Sequence, residues 1–137
     1  MNLSVRFLET TVNDTVNTIY GTILSIPWSN ELWLVSLIGF HFLVSVCIIA
    51  FRKRTDLLLC ILFISLGTVW CSHWINELAA NNWNLFATEQ YFDSYGYFIS
   101  CIWNIPAILN SLLIVINSLL IQSKRLQIAG KKRTKID

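Results

Sequence analysis

Three long apolar runs separated by short polar stretches set the pattern of this chain. Residues 32–51, 57–75 and 97–121 contain no Lys, Arg, Asp or Glu and run 20, 19 and 25 residues. A helix rises about 1.5 Å per residue, so roughly 20 apolar residues cross the hydrocarbon core of a bilayer. A core helix of a soluble domain rarely stays apolar on every face for that long. The pattern predicts an all-α integral membrane protein with three transmembrane helices over those ranges. Ahead of them, Val5, Leu8, Val12, Val16, Ile19, Ile23 and Ile26 recur at spacings of three and four, with Asn13, Asp14, Asn17 and several Thr opposite. This predicts an N-terminal amphipathic helix over 1–27, ended by Pro27, which lies in the headgroup region or packs on the bundle, packing being favoured. A fourth crossing would carry Arg6, Glu9 and Asp14 into lipid and is not expected.

The chain thus divides into the amphipathic helix 1–27, a transmembrane domain 28–121 and a basic tail 122–137. Composition agrees: 55% of the 137 residues are hydrophobic and 13% charged, about half the charge usual in soluble domains. Cys47, Cys60, Cys71 and Cys101 all fall inside the apolar runs, and we read them as reduced packing residues.

The charges are few and unevenly placed. Arg52-Lys53-Arg54 separates the first two runs, and Lys124, Arg125, Lys131, Lys132, Arg133 and Lys135 follow the third. The other two polar segments are acidic, holding Glu9, Asp14 and Glu31 before the first run and Glu77, Glu89 and Asp93 between the second and third. With three crossings, both basic segments share one side. The positive-inside rule then puts the C-terminus in the cytoplasm or nucleoplasm and the N-terminus outside or in a lumen. No cleavable signal is expected, since the start lacks a basic stretch followed by an apolar core.

Residues 76–96 are rich in Asn, aromatics and acids, and a twenty-residue connector of that composition is not a passive linker. Trp83, Tyr91, Tyr95 and Tyr97 suit a membrane boundary. Asp93-Ser94 reads as a helix cap for the third run, with Gly96 easing the turn.

The run Cys71…Ile75-Asn76-Glu77…Ala79-Ala80…Asn82-Trp83…Leu85-Phe86…Gln90-Tyr91-Phe92-Asp93-Ser94…Gly96…Phe98-Ile99-Ser100 closely resembles the transmembrane protein 18 family. Trp33, Phe40-His41, Pro106 and Asn110 support the match, which covers residues 28–125 in order. The resemblance implies a small multi-pass protein of the nuclear membrane whose basic C-terminal tail binds DNA and represses transcription. This tail is shorter and less densely basic than the family's.

Polar residues inside the apolar runs are costly in lipid and often functional. If the first two spans form an antiparallel hairpin about 52–56, and the second and third meet near 86, then His41, Thr68 and Asn104 share one depth near Pro106. Asn110 lies a turn further along. The bland reading of this cluster is hydrogen-bonded glue between helices, worth about 0.6 kcal/mol per bond; the sharper one is a proton or substrate path. His73 and Glu77 form an i, i+4 pair, but with two His in the chain and no convergent third ligand no metal site is expected. No nucleophile motif, phosphate loop or paired carboxylates exist, so neither an enzyme nor a cofactor is expected.

The tail bases carry three readings: contact with anionic lipid, DNA binding through the resemblance, and short import or retrieval signals. Two function classes follow. One is an adaptor or tether of the nuclear envelope and endoplasmic reticulum. The other is a small transporter, channel or lipid-handling subunit using the polar cluster. The expected partners are the lipid bilayer, DNA through the tail, other nuclear-envelope membrane proteins and a second copy of the chain.

Overall fold

The computed structural model describes residues 3–133, and every regular element among them is helical. Helix α1 is Leu3–Ser25, α2 is Leu32–Ala50, α3 is Thr55–Trp70 and α4 is Ser72–Asn82, which ends in a 3-10 turn, Trp83–Leu85. After an irregular connector, α5 (Tyr97–Ile99) passes through a π turn, Ser100–Asn104, into α6, Ile105–Arg133. Helix α2 and the continuous helix Tyr97–Arg133 are each long and apolar enough to cross a bilayer. The pair α3–α4, bent by 60°, makes a third if it counts as one span. Large apolar side chains around these helices point outward, with Phe42 71% and Phe63 72% exposed, the surface expected of helices whose solvent is lipid.

Charge and backbone chemistry set the helix ends. α2 stops where Arg52-Lys53-Arg54 begins, and the turn is closed by Phe51 N–H donating to the Cys47 carbonyl at 2.8 Å and Arg54 N–H donating to Phe51 at 2.8 Å. Asp56 in the first turn of α3 suits the positive end of that helix dipole. α3 ends at Trp70, short of the expected Ile75, and the chain bends at Cys71 into α4. The amide of Asn104 donates to the Ser72 hydroxyl at 3.1 Å, holding the start of α4 against the π turn. That turn has its own cause in Pro106, which has no N–H for the i−4 carbonyl, so the backbone just before it widens.

α6 is the central helix. It packs along α3 on one side and α2 on the other, while α2 and α3 touch each other little. The expected hairpin of the first two spans is therefore replaced by two helices flanking a third. Ile48 of α2, Leu58 of α3 and Ile114 of α6 form the small core near the basic end, each 1% exposed. A larger core near the acidic end joins Ile26, Leu34, Phe92, Phe98 and Ile99, with Trp28, Trp33, Trp83 and Tyr91 packed around it.

α1 departs from the packing expectation, for none of its residues is buried. Val5, Leu8, Val12 and Val16 of its apolar stripe are at least half exposed, and only Ile26, just past its end, reaches the core. Thr10, Thr11, Thr15, Thr18 and Thr22 donate their hydroxyls to carbonyls three or four residues back in their own helix. The threonine hydroxyls are thus satisfied internally, and Thr11, Asp14, Thr15, Thr18 and Thr22 line an open cavity of about 750 Å³ shared with Tyr91, Tyr95 and Cys101. Ile19, Ile23 and Ile26 of the apolar stripe line the same cavity, while Val5, Leu8, Val12 and Val16 are left for lipid.

Candidate functional site

The densest polar constellation is one that composition did not mark. Glu31, the residue before α2, has 0% exposure. Its Oε2 accepts from the Trp33 indole at 2.6 Å. Its Oε1 accepts from the Thr88 N–H at 3.0 Å, the Tyr91 hydroxyl at 2.9 Å and the Thr88 hydroxyl. Burial pushes the carboxyl up, but the donors from Thr88, Tyr91 and Trp33 outweigh it and hold Glu31 below its ordinary range. Burial and the neighbouring Glu31 raise the Tyr91 phenol in turn. Glu31 is the residue before the first turn of α2, but its carboxylate makes no capping hydrogen bond to that helix's backbone. In the sequence Glu31 shows only as an acid between Trp28 and Trp33 at the edge of an apolar run, a weak signal.

A second knot ties the connector to α4 and α5. The Asp93 carboxylate accepts from the backbone N–H groups of Tyr95 (3.1 Å), Tyr97 (3.1 Å) and Phe98 (3.0 Å), which caps the third apolar run as its sequence suggested. Burial raises its pKa, and those backbone donors more than offset that, leaving it below its ordinary range. Gly96 sits at φ 72°, a left-handed conformation that glycine adopts without strain. The buried Asn76 amide donates to the Asp93 carbonyl at 2.8 Å. Gln90 reaches back to the Ala80 carbonyl at 3.1 Å. Phe92 lies in the core, stacked at 6.1 Å on Trp33 and edge-on at 5.3 Å to Phe98. Trp83 packs on the same cluster. Asn82 binds only its own helix at the Leu78 carbonyl, and Ser94 is exposed in the turn. Glu77 lies 3.8 Å from His73, both exposed, and no third potential metal ligand joins them among the described residues. Most of the residues that carry the family resemblance thus fasten the connector into a fixed cap.

The four residues of the intramembrane cluster separate into three environments. Asn110 is buried; its amide donates to the His41 carbonyl at 3.3 Å and its Oδ1 accepts from Ser45 at 2.6 Å. Ser45 and Asn110 thus lock α2 to α6. Asn104 turns instead to Ser72 and Ser100, and Thr68 donates to the Ser65 carbonyl of its own helix. The anticipated side-chain link between His41 and Asn104 is not formed. His41 instead meets the Trp103 ring of the π turn edge-on at 5.1 Å. His41 Nε2, Trp103 Nε1 and Asn104 Oδ1 are buried and have no hydrogen-bond partner. Of the cysteines, all free thiols, Cys60 and Cys71 are exposed on the outer surface of the helices rather than packed inside.

At the other end, Lys124, Arg125, Lys131, Lys132 and Arg133 lie on α6, which continues as one helix to Arg133. The segment 122–133 of the basic tail is thus a helical extension of the third apolar run. Lys135 lies outside the described residues.

These features define a small, all-helical integral membrane protein with a hydrogen-bonded cap at its acidic end and a basic helix at the other. The profile of the Transmembrane protein 18 family matches residues 21–136, and the chain belongs to that family. It is similar to Transmembrane protein 18 of Danio rerio, at 33% identity over 114 residues, 83% of this chain and 74% of the relative. It is also similar to Transmembrane protein 18 of Xenopus laevis, at 36% identity over 92 residues, 67% of each chain. No solved structure matches it.

Proposed function

We infer that this protein is an adaptor or tether of the nuclear envelope and endoplasmic reticulum, whose basic C-terminal helix engages DNA and so represses transcription near the membrane. It acts without enzymatic chemistry. The observation that supports this reading is the continuity of α6 through Arg133. Twelve residues separate Ile121 from Arg133, which at about 1.5 Å each carries Lys131–Arg133 roughly 18 Å beyond the apolar segment. A stiff stalk of that length holds its terminal bases clear of the headgroups, where a polyanion can reach them. Other membrane proteins of the envelope and a second copy of the chain are the partners that would concentrate such weak contacts. The test is fluorescent localisation of the full chain beside a form ending at Ile128. Loss of rim enrichment and of chromatin association in the shortened form is expected; unchanged distribution overturns the tether.

A second reading, a small transporter, channel or lipid-handling subunit, is favoured by one observation. The π turn gathers three buried polar atoms without partners, on His41, Trp103 and Asn104, and π turns recur at functional sites. Flux across liposomes that His41→Leu abolishes in a normally folded protein would favour it over the tether.

A further inference from the structure

Four bases from two separate elements converge on one groove at the basic end. Arg52 and Lys53 come from the turn after α2, and Lys124 and Arg125 from α6. They share a groove of about 370 Å³ also lined by Leu120, Ile121 and Ile128. Asn117 clamps the two elements by donating its amide to the Arg52 carbonyl at 3.2 Å. Asn117, Leu120, Ile121, Lys124, Arg125 and Ile128 follow each other at helical spacing, so along this face of α6 apolar Leu120 and Ile121 are followed by basic Lys124 and Arg125, with Ile128 one turn further out. All four bases are exposed, and none is paired with an acid among the described residues.

We propose that this groove is a binding site for the phosphate headgroup of an anionic phospholipid. The order of chemistry along it is that of a lipid at the membrane boundary. Apolar Leu120 and Ile121 lie level with the chains, and the four cations stand just beyond, where the phosphates are. The turn 52–53 follows a membrane-spanning helix directly, which fixes the depth of its two bases independently of α6. Four cations around one groove favour a headgroup with more than one negative charge, such as a phosphomonoester. A neutral zwitterion, its one phosphate charge offset by its own cation, would leave at least three of them uncompensated. The site is independent of the tether reading, which uses Lys131, Lys132 and Arg133 beyond it.

The test is melting of the full-length, detergent-solubilised protein titrated with phosphatidic acid, phosphatidylcholine, inorganic phosphate or a DNA duplex. Phosphatidic acid is expected to stabilise the protein and phosphatidylcholine to leave it unchanged. Arg52→Gln with Lys53→Gln, or Lys124→Gln with Arg125→Gln, should each weaken the lipid effect about 30-fold, at about 1 kcal/mol per base. Lys132→Gln with Arg133→Gln should not weaken it. If a double variant does not fold, Lys124→Gln alone should weaken binding about fivefold on the same scale. Equal stabilisation by phosphatidylcholine or by inorganic phosphate would overturn the site, as would stabilisation by DNA that the groove variants abolish and Lys132→Gln with Arg133→Gln does not, or groove variants that titrate like the unaltered chain.

Discussion

The hydroxyl of Tyr91 donates to the Glu31 carboxylate at 2.9 Å, joining the connector to the start of α2 across 60 residues of chain. Trp33 and Thr88 fill the remaining acceptor positions. A carboxylate with no exposure is retained here because every donor is aimed at its charged form.

A pH dependence follows from this arrangement. Glu31 and Asp93 are both held below their ordinary ranges, so the folded state binds protons less readily than the unfolded chain. Their contribution to stability is complete above the ordinary carboxylate range and is lost as pH falls through the depressed values. Melting temperature should hold from neutral pH to about 5 and fall below that. Tyr91→Phe should cost roughly 1 kcal/mol, and Glu31→Gln more, because an amide N–H₂ would face donors. Glu31→Gln should also flatten the acid limb of the curve. A limb that keeps its slope would remove Glu31 from this account.

Gly96 and Asp93 make a separable pair. A Cβ at Gly96 would meet only Ile99 Cγ2 at 3.6 Å, an ordinary contact, so Gly96→Ala acts through its backbone angle alone. The expected loss is about 1 kcal/mol, and Asp93→Ala should lose about 1–2 kcal/mol through the cap. The residues share one turn, so the double variant should cost less than the sum of the two. Strict additivity, read by denaturation in detergent, would show that the cap and the turn form independently.

Asn110 and His41 should respond in opposite ways. Asn110→Leu removes two bonds between α2 and α6 and should cost about 1–2 kcal/mol. The His41 side chain makes no hydrogen bond at Nε2, so His41→Leu should leave stability nearly unchanged or raise it slightly. A large loss at His41 with none at Asn110, measured by melting, would reverse the assignment of which residue joins the helices.

How much of this was legible follows physical lines. The helices were readable because an apolar run free of charge has few alternatives in lipid. Asp93 and Gly96 were readable because a cap and a left-handed turn are local events. The partners of His41 and Asn104 were not, because a depth estimate fixes height along a helix but not rotation about it. Ser45 therefore emerged as the partner of Asn110, and Ser72 as that of Asn104. The break at Cys71 was hidden for a related reason. The bond that holds the start of α4 beside it comes from Asn104, 32 residues past Ser72, in a helix whose neighbours the pattern does not name. Glu31 was missed because an acid beside an apolar run ordinarily marks a boundary, and its four donors come from three positions in the fold. The α1 stripe has the correct period, but periodicity does not distinguish a face turned to protein from one turned to lipid.

Orientation in the membrane is tested by glycosylation. Asn13-Asp14-Thr15 is an acceptor sequence on the acidic side, and Asn13 is exposed on α1. An acceptor engineered at the exposed Asn84 is the second probe on that side. Both should be modified if the acidic end faces a lumen, and one placed after Lys131 should not. Modification at the C-terminal site alone would invert the topology and place the basic helix where no DNA is present.

Salt dependence of DNA binding is the most direct test of the tether. If Lys124 and Arg125 are engaged at the membrane boundary, Lys131, Lys132, Arg133 and Lys135 remain to contact phosphates. They displace at most four counterions, so the log–log salt slope should be no steeper than about −4. Affinity should lie in the roughly 10⁻⁴–10⁻⁶ M range of sequence-independent binding. The helical form of 122–133 permits entry into a major groove, but its bases are point charges and flexible forks with no Asn or aromatic alongside them at 129–133. Sequence preference should therefore be small. An isolated peptide of this length would be a marginal helix in water, so the titration uses the full chain in detergent, against several duplexes at two salt concentrations. Lys132→Gln with Arg133→Gln should lower the slope by about two. A slope unchanged by that substitution would place the DNA contact on other residues and remove the stalk from the mechanism.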